Sequence, residues 1–371
     1  MTRYPTDRFA ILRLRAYVVS PGERVALPMV TSTLFPQLPR VYRNPFRIGM
    51  AIMLAGVIAL SALKLLAPLV TLVALGVPAL FVLYLWQSGV LRDIPGHAFA
   101  LAAGVGCALG VGWVWFTGTV VARAYGVPMA AGLLLENLAD VGLVIALGGV
   151  VLMMLPVVLV RILVVLRRRQ RREALDGFTI GALGALSFTA AATTTRLAPQ
   201  FVSGLLDNVL PLRRFTGAVL FGVAMPLTAA ALGGLIGMLL WFRPGPRAAD
   251  RRGRVRLILL LFTGAVMVIY TAIWLIDESP LPSWPQLGLH ILMTAVALLA
   301  ARFGVQLALL HERHPHPGTD PVLCLNCKHV VPDLTFCPAC GFASATLSRF
   351  SRRQRRESPP TRNDPANSAD V

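Results

Sequence analysis

Residues 48–86 read IGMAIMLAGVIALSALKLLAPLVTLVALGVPALFVLYLW, with Lys64 as their one charge. A helix needs about 20 apolar residues to cross a bilayer, because its backbone must satisfy its own hydrogen bonds in lipid. The run is about twice that length. It predicts two spans, 48–65 and 67–86, turning near Lys64 and Pro68.

Working outward, the same criterion gives spans at 98–122, 177–195, 216–242, 257–276 and 287–310. The first of these holds Gly104, Gly106, Gly110 and Gly112, and small residues let neighbouring helices approach closely. The apolar region 130–166 is too long for one ordinary span, with Glu136, Asn137 and Asp140 early in it and Pro156 near its middle. It predicts one long, kinked or re-entrant segment. Residues 197–215, with Phe201, Leu205, Leu206, Leu210 and Leu212 among polar positions, suit an interfacial helix or a structured loop. Composition agrees: 56% of the 371 residues are hydrophobic and 14% charged, against about 25% charged in a soluble domain. Cys107, alone in an apolar helix, reads as a small buried residue. The fold class is an all-α polytopic membrane protein of about eight transmembrane helices.

Orientation follows from the arginines. One group precedes or begins the first span: Arg3, Arg8, Arg13, Arg15, Arg24, Arg40, Arg43 and Arg47. A second comprises Arg161, Arg167, Arg168, Arg169, Arg171 and Arg172, and a third Arg243, Arg247, Arg251, Arg252, Arg254 and Arg256. The connection between the last two spans has Asp277 and Glu278 and no base. Cytoplasmic loops carry the basic excess, so a cell-membrane protein with both termini in the cytoplasm is expected. Two crossings within 130–166 would place one basic group on the wrong side. Arg196, Arg213 and Arg214 then fall on the outer face. The formal charge of +18 is accounted for by loops facing the lipid bilayer, and nucleic acid is not an expected partner. Residues 1–46 form a cytoplasmic segment with no cleavable signal peptide apparent, so the first span acts as an uncleaved anchor.

Beyond the helical domain (47–310) and a linker (311–321) comes Cys324-Leu-Asn-Cys327, nine residues, then Cys337-Pro-Ala-Cys340-Gly341. Two such knuckles bring four thiolates around one tetrahedral Zn²⁺. A segment as short as 322–343 cannot build a sufficient core, and a structural metal supplies what is missing. The coordination sphere is then closed, so this ion is no catalyst. His329 reads as a neighbour of the site, and His311-Glu-Arg-His314-Pro-His316 as a solvated linker. The tail, 344–371, with five arginines between Arg349 and Arg356, reads as disordered and attracted to anionic lipid or an acidic cytoplasmic partner. Zinc should fold the ribbon alone and leave the helices independent of it.

Ionisable residues at membrane depth are functional candidates. Glu136 and Asp140, four apart, share a helix face with Asn137 close by. They share a proton, bind a cation, or cap and pair locally near a helix end. His290 and Arg302 in the last span are candidates of the same kind.

Leu175-Asp-Gly-Phe-Thr-Ile-Gly-Ala-Leu-Gly184, followed by Phe188, resembles a segment of the PrsW family of intramembrane proteases, related to the wider CPBP superfamily. Glu136-Asn137-Leu-Ala-Asp140 falls where that family has a Glu-Glu-x-x-Lys-like motif, with the first glutamate kept. The family's Phe-x-x-x-Glu lands on Phe188 and Ala192, and no histidine occurs in 216–242. The resemblance covers about 130–240. It implies a metal-dependent protease fold that has lost much of its chemistry.

The expected function is a non-catalytic membrane scaffold or regulatory protein whose ribbon and basic tail contact a cytoplasmic partner. A divergent intramembrane metalloprotease and a cation- or proton-coupled transporter are the alternatives. For topology, cysteines introduced at Ser20, Gln170 and Ala249 should be labelled only from the cytoplasm, and one at Ser283 from outside. External labelling at Gln170 would divide 130–166 into two crossings.

Overall fold

The computed structural model describes residues 30–36, 43–125, 134–166, 173–203, 211–244, 252–277, 281–312 and 321–357. A short helix α1 (Val30–Leu34) precedes α2 (Arg43–Ala62) and α3 (Leu66–Gln87). A one-turn helix α4 (Val90–Asp93) leads to α5 (Gly96–Tyr125), α6 (Leu134–Leu166) and α7 (Ala174–Ser203). Helix α8 (Pro211–Val219) runs through a π-turn (Leu220–Ala224) into α9 (Met225–Trp241). Then come α10 (Arg252–Asp277), α11 (Ser283–His311), the hairpin β1 (Pro321–Leu323) and β2 (Val330–Pro332), and α12 (Arg349–Glu357).

Seven of these helical segments are long and apolar enough to cross a bilayer: α2, α3, α5, α7, α8–α9, α10 and α11. The remaining long helix, α6, outside these seven, is a single helix of 33 residues with Pro156 inside it. Its described apolar part is Leu147–Leu163. The chain is therefore a multi-pass helical membrane protein, with large apolar side chains such as Ile52, Leu83, Trp115, Leu260 and Ile291 exposed to lipid.

The turn expected near Lys64 has a defined form. Lys64 adopts a left-handed φ of 58°. The Leu65 N–H reaches back to the Leu60 carbonyl at 3.1 Å, and the Lys64 N–H to that of Ser61 at 3.4 Å. This is a Schellman stop, which satisfies the last carbonyls of α2 before α3 begins. The region around 197–215 continues α7 to Ser203 and starts α8 at Pro211, while 204–210 lie outside the described residues.

Helix ends meet in two groups. At one end Arg161 of α6 donates to the Leu240 carbonyl at 3.0 Å and lies 5.3 Å from the Trp241 ring centroid. There Pro244 bridges to Glu312, after α11. Phe35, after α1, packs there against Phe46, Phe81 and Tyr84 at centroid distances of 5.1, 5.9 and 5.0 Å. At the other end Arg196 lies over Phe221 and Trp274, at 5.5 and 4.8 Å. The expected outer-face arginine is thus held on aromatic rings.

Helix α7 is the centre of the bundle, packed between α9 and α5 with α3 and α6 beside it. Glycines set its spacing. A Cβ on Gly181 would stand 1.9 Å from the Gly233 carbonyl oxygen, and one on Gly237 1.9 Å from that of Gly177. On the α5 side, Cβ atoms on Gly106 and Gly110 would meet the Gly184 and Phe188 carbonyls at 2.6 and 2.4 Å. Gly104 and Gly112, by contrast, have open space. Cys107 departs from its expected burial: it is exposed, with its sulfur 3.7 Å from the Ser187 carbonyl oxygen.

Backbone contact this close admits no side chain. Gly181→Ala and Gly237→Ala should each destabilise the bundle by about 3 kcal/mol or more. Gly112→Ala should be neutral or stabilising by up to about 1 kcal/mol. Thermal unfolding of the detergent-solubilised variants measures the difference.

Candidate metal centre and its arginine brace

The ribbon is built from two like turns. The Lys328 N–H bonds the Cys324 carbonyl at 2.9 Å and the Gly341 N–H bonds the Cys337 carbonyl at 2.9 Å. Each turn ends on a left-handed residue, Lys328 at φ 61° and Gly341 at φ 74°. The next strand-like contact closes each knuckle: Cys324 N–H to the His329 carbonyl (2.9 Å), and Cys337 N–H to that of Phe342 (2.8 Å). The antiparallel hairpin pairs Leu323 with Val330, one residue before Cys324.

All four sulfurs lie within 4.8 Å of one another. Cys324–Cys340 and Cys327–Cys337 are each 3.8 Å apart. A tetrahedral site with metal–sulfur bonds of about 2.3 Å has edges of about 3.8 Å, so the four fit one ion. The Asn326 side-chain amide donates to the Cys340 sulfur at 3.5 Å, a second layer that orients the ligand. His329 Nδ1 stands 2.8 Å from the Cys327 carbonyl oxygen rather than in the thiolate set.

Residues 344–357 were expected to belong to a disordered tail. They form instead a turn of 3-10 helix (Ser344–Thr346) and the helix α12; 358–371 lie outside the described residues. Ser348 begins α12 and accepts from the Ser351 N–H at 3.2 Å. Asp93, from the α4 turn, accepts from the N–H groups of Arg349 and Phe350 at 2.5 and 3.0 Å. A helix start favours exactly such an anionic partner, which this one receives from far away in sequence.

The arginines of α12 then divide. Arg349 pairs with Asp176 and stands 3.4 Å from Glu173, while one nitrogen of Arg352 reaches both Glu173 oxygens at 2.8 and 2.6 Å. Both carboxylates belong to the start of α7. Arg355 donates to the Leu323 carbonyl at 2.8 Å and Arg356 to Asp333 at 2.7 Å, both in the ribbon. Arg92 lies over the Phe350 ring at 5.0 Å. Ala343 belongs to the bundle's own buried cluster, with Phe336 and Ala345 packed on it. The ribbon is therefore seated on the helix ends, and α12 braces the two together. The expected packing independence of the ribbon does not describe this structure; the linker, 313–320, lies outside the described residues.

Glu312 completes the notch. Its Oε1 accepts from the Ala174 N–H at 2.6 Å. Burial pushes its carboxyl up to about 8, with Glu173 and Asp176 adding to the rise and the Ala174 N–H and Arg352 opposing it. For Arg349 burial opposes the charge, but Asp176, Glu173 and Asp93 outweigh it and hold the pKa above its ordinary value. Sequence reading missed Asp93, Glu173, Asp176 and Glu312. A signal existed: they are acidic residues at the same helix ends as the arginine groups.

The candidates at membrane depth lie on α6 and α11. Glu136, Asn137 and Asp140 fall on the first turns of α6, and their side chains lie outside the described residues. His290 is fully buried on α11; among the described residues neither ring nitrogen makes a hydrogen bond of regular geometry, and the Ile273 backbone is the polar group that approaches the ring. One turn further, Thr294 meets Thr228 of α9 at 3.2 Å between hydroxyl oxygens. Arg302 is also buried on α11. It is twelve residues from His290, about 18 Å along the axis, so those two do not form one site.

Fold and site together define a multi-pass helical membrane protein bearing a four-cysteine, metal-binding ribbon. No family model, curated protein or solved structure matches the chain.

Glu312 gives a pH dependence of known sign. Its folded pKa of about 8 exceeds the unfolded value of about 4.3. The folded state binds the extra proton between these values. Its contribution is full below about pH 4 and lost as pH rises through about 8. Glu312→Gln should differ little from the wild type near pH 5 and be more stable than it by up to about 4 kcal/mol near pH 9. Melting curves across that range test it.

Proposed function

We propose that the protein is a non-catalytic membrane scaffold or regulatory component that holds one structural Zn²⁺ and presents its ribbon, in a fixed orientation, to a cytoplasmic partner. The observation that carries this reading is the brace. A flexible appendage would not need Arg349 and Arg352 on the bundle and Arg355 and Arg356 on the ribbon. The four-cysteine set leaves no coordination position open for substrate. With those arginines engaged internally, the partner-facing surface is the ribbon's outer side, where Leu325, Val330 and Leu334 are exposed. The arginine-rich helix ends support a cytoplasmic placement of both termini. A protease-like ancestry belongs to the same proposal, with the likeness confined to the helical domain.

A second reading, transport of protons or cations, is favoured by one observation. His290, buried with neither ring nitrogen in a regular hydrogen bond among the described residues and one turn from the Thr228–Thr294 pair, suits a water or a proton at membrane depth.

Metal analysis separates the readings. The purified chain should hold one zinc, lost on Cys324→Ser or Cys337→Ser. A second ion that survives those changes would favour the metalloprotease instead. Leu325→Asp with Leu334→Asp should keep the zinc and lose the partners that the wild type retains. Retention of every partner sinks the docking surface. Proton flux in proteoliposomes that vanishes in His290→Ala would favour the transporter.

A further inference from the structure

Helix α12 is nine residues long, too short to stay helical alone in water. Its two ends are held by different bodies. Asp93, Glu173 and Asp176 hold the first turns. The Leu323 carbonyl and Asp333 hold the last. Those two anchors belong to the ribbon: Leu323 pairs with Val330 beside Cys324, and Asp333 is buried between β2 and Cys337. A segment of that size keeps its fold only around its metal.

We infer that α12 is a metal-gated latch: loading of the four-cysteine site fixes its last turn, which seats Arg349 and Arg352 in the carboxylate notch and locks the ends of α7 and α11 together. The inference rests on the metal-binding part of the function proposed above. It goes beyond that function in making the ribbon a control on the membrane bundle. When the metal leaves, Arg355 and Arg356 lose their anchors and α12 frays. Its arginines then withdraw from Glu173 and Asp176. The notch is left with Glu173, Asp176 and Glu312 and without the two tail cations the structure places there. Buried like charges without those cations are costly, so the helix ends separate or take up protons. The opposite end of the bundle, where Arg196 lies over Phe221 and Trp274, has no part in the latch.

Hydrogen exchange read by mass spectrometry on the full chain in nanodiscs tests this, with metal content measured in parallel. Stripping the metal with a chelator should speed exchange roughly tenfold or more in 89–94 and 173–177. Exchange in 190–200 should not change. The metal-loaded double variant Arg349→Gln, Arg352→Gln should show the same loosened notch while 321–343 stay protected. Because that variant removes buried charges, a second one, Arg355→Gln with Arg356→Gln, cuts only the ribbon side. It should loosen both α12 and the notch with metal bound. Acceleration confined to 321–357 on stripping would overturn the latch, as would acceleration that extends through 190–200. A chain that binds no metal as purified removes the premise taken from the proposed function. A loaded chain whose notch ignores stripping removes the latch alone.

Discussion

Backbone-on-backbone contact between α7 and α9 is the constraint around which the bundle is arranged. Lipid tails are as apolar as leucine, so helices in a bilayer gain little from hiding apolar side chains and much from close packing. Gly177 and Gly181 of α7 face Gly233 and Gly237 of α9 with no room for a Cβ. Gly106 and Gly110 bring α5 nearly as close on another side. A helix gripped in this way is buried along most of its length, and so is its start.

That burial creates the electrostatic problem that the C-terminal helix solves. Helix α7 begins with Glu173 and Asp176, and α11 delivers Glu312 to the same place. The free N–H groups of a helix start favour carboxylates there, but three carboxylates in a half-buried notch repel one another. Arginine is the side chain that can be brought into such a site without losing its charge, and its several donors can serve two carboxylates at once. Arg349 serves Asp176 and Glu173, and Arg352 grips both oxygens of Glu173. The same helix carries Arg355 and Arg356 to the ribbon. One short basic element thus neutralises the bundle's acidic end and orients the metal module.

The membrane spans and the ribbon were legible because both are written locally. Apolar length needs no partner to be read, and the turn at Lys64 is closed by residues within one helical turn of it. The two Cys-x-x-Cys pairs lie within a single short segment. The brace was not legible, because its partners come from the α4 turn, the start of α7 and the end of α11, all far from α12 in sequence. A run of arginines after the last span reads most simply as a solvated tail. The contrary hint lay in the exceptions, since Asp93, Glu173 and Asp176 are acidic positions in otherwise basic surroundings. The single long segment expected at 130–166 has its counterpart in α6, one helix through Pro156, whose Arg161 stands with Leu240 and Trp241.

The segment Leu175–Gly184, on which the proposed kinship with intramembrane proteases rests, has a packing role at nearly every position. Asp176 holds Arg349, Gly177 and Gly181 admit the α9 backbone, and Phe178 is buried against Gly234. Gly184 accepts the close approach of α5 and of Pro156. Each of these residues is demanded by the way α7 is enclosed, whatever the protein does. A similar string in another membrane protein therefore reports a similarly enclosed helix, and that is a statement about fold. Chemistry has to be argued from groups that packing does not require. Among the described residues the four sulfurs and the buried imidazole of His290 are such groups, and they lie in different parts of the molecule.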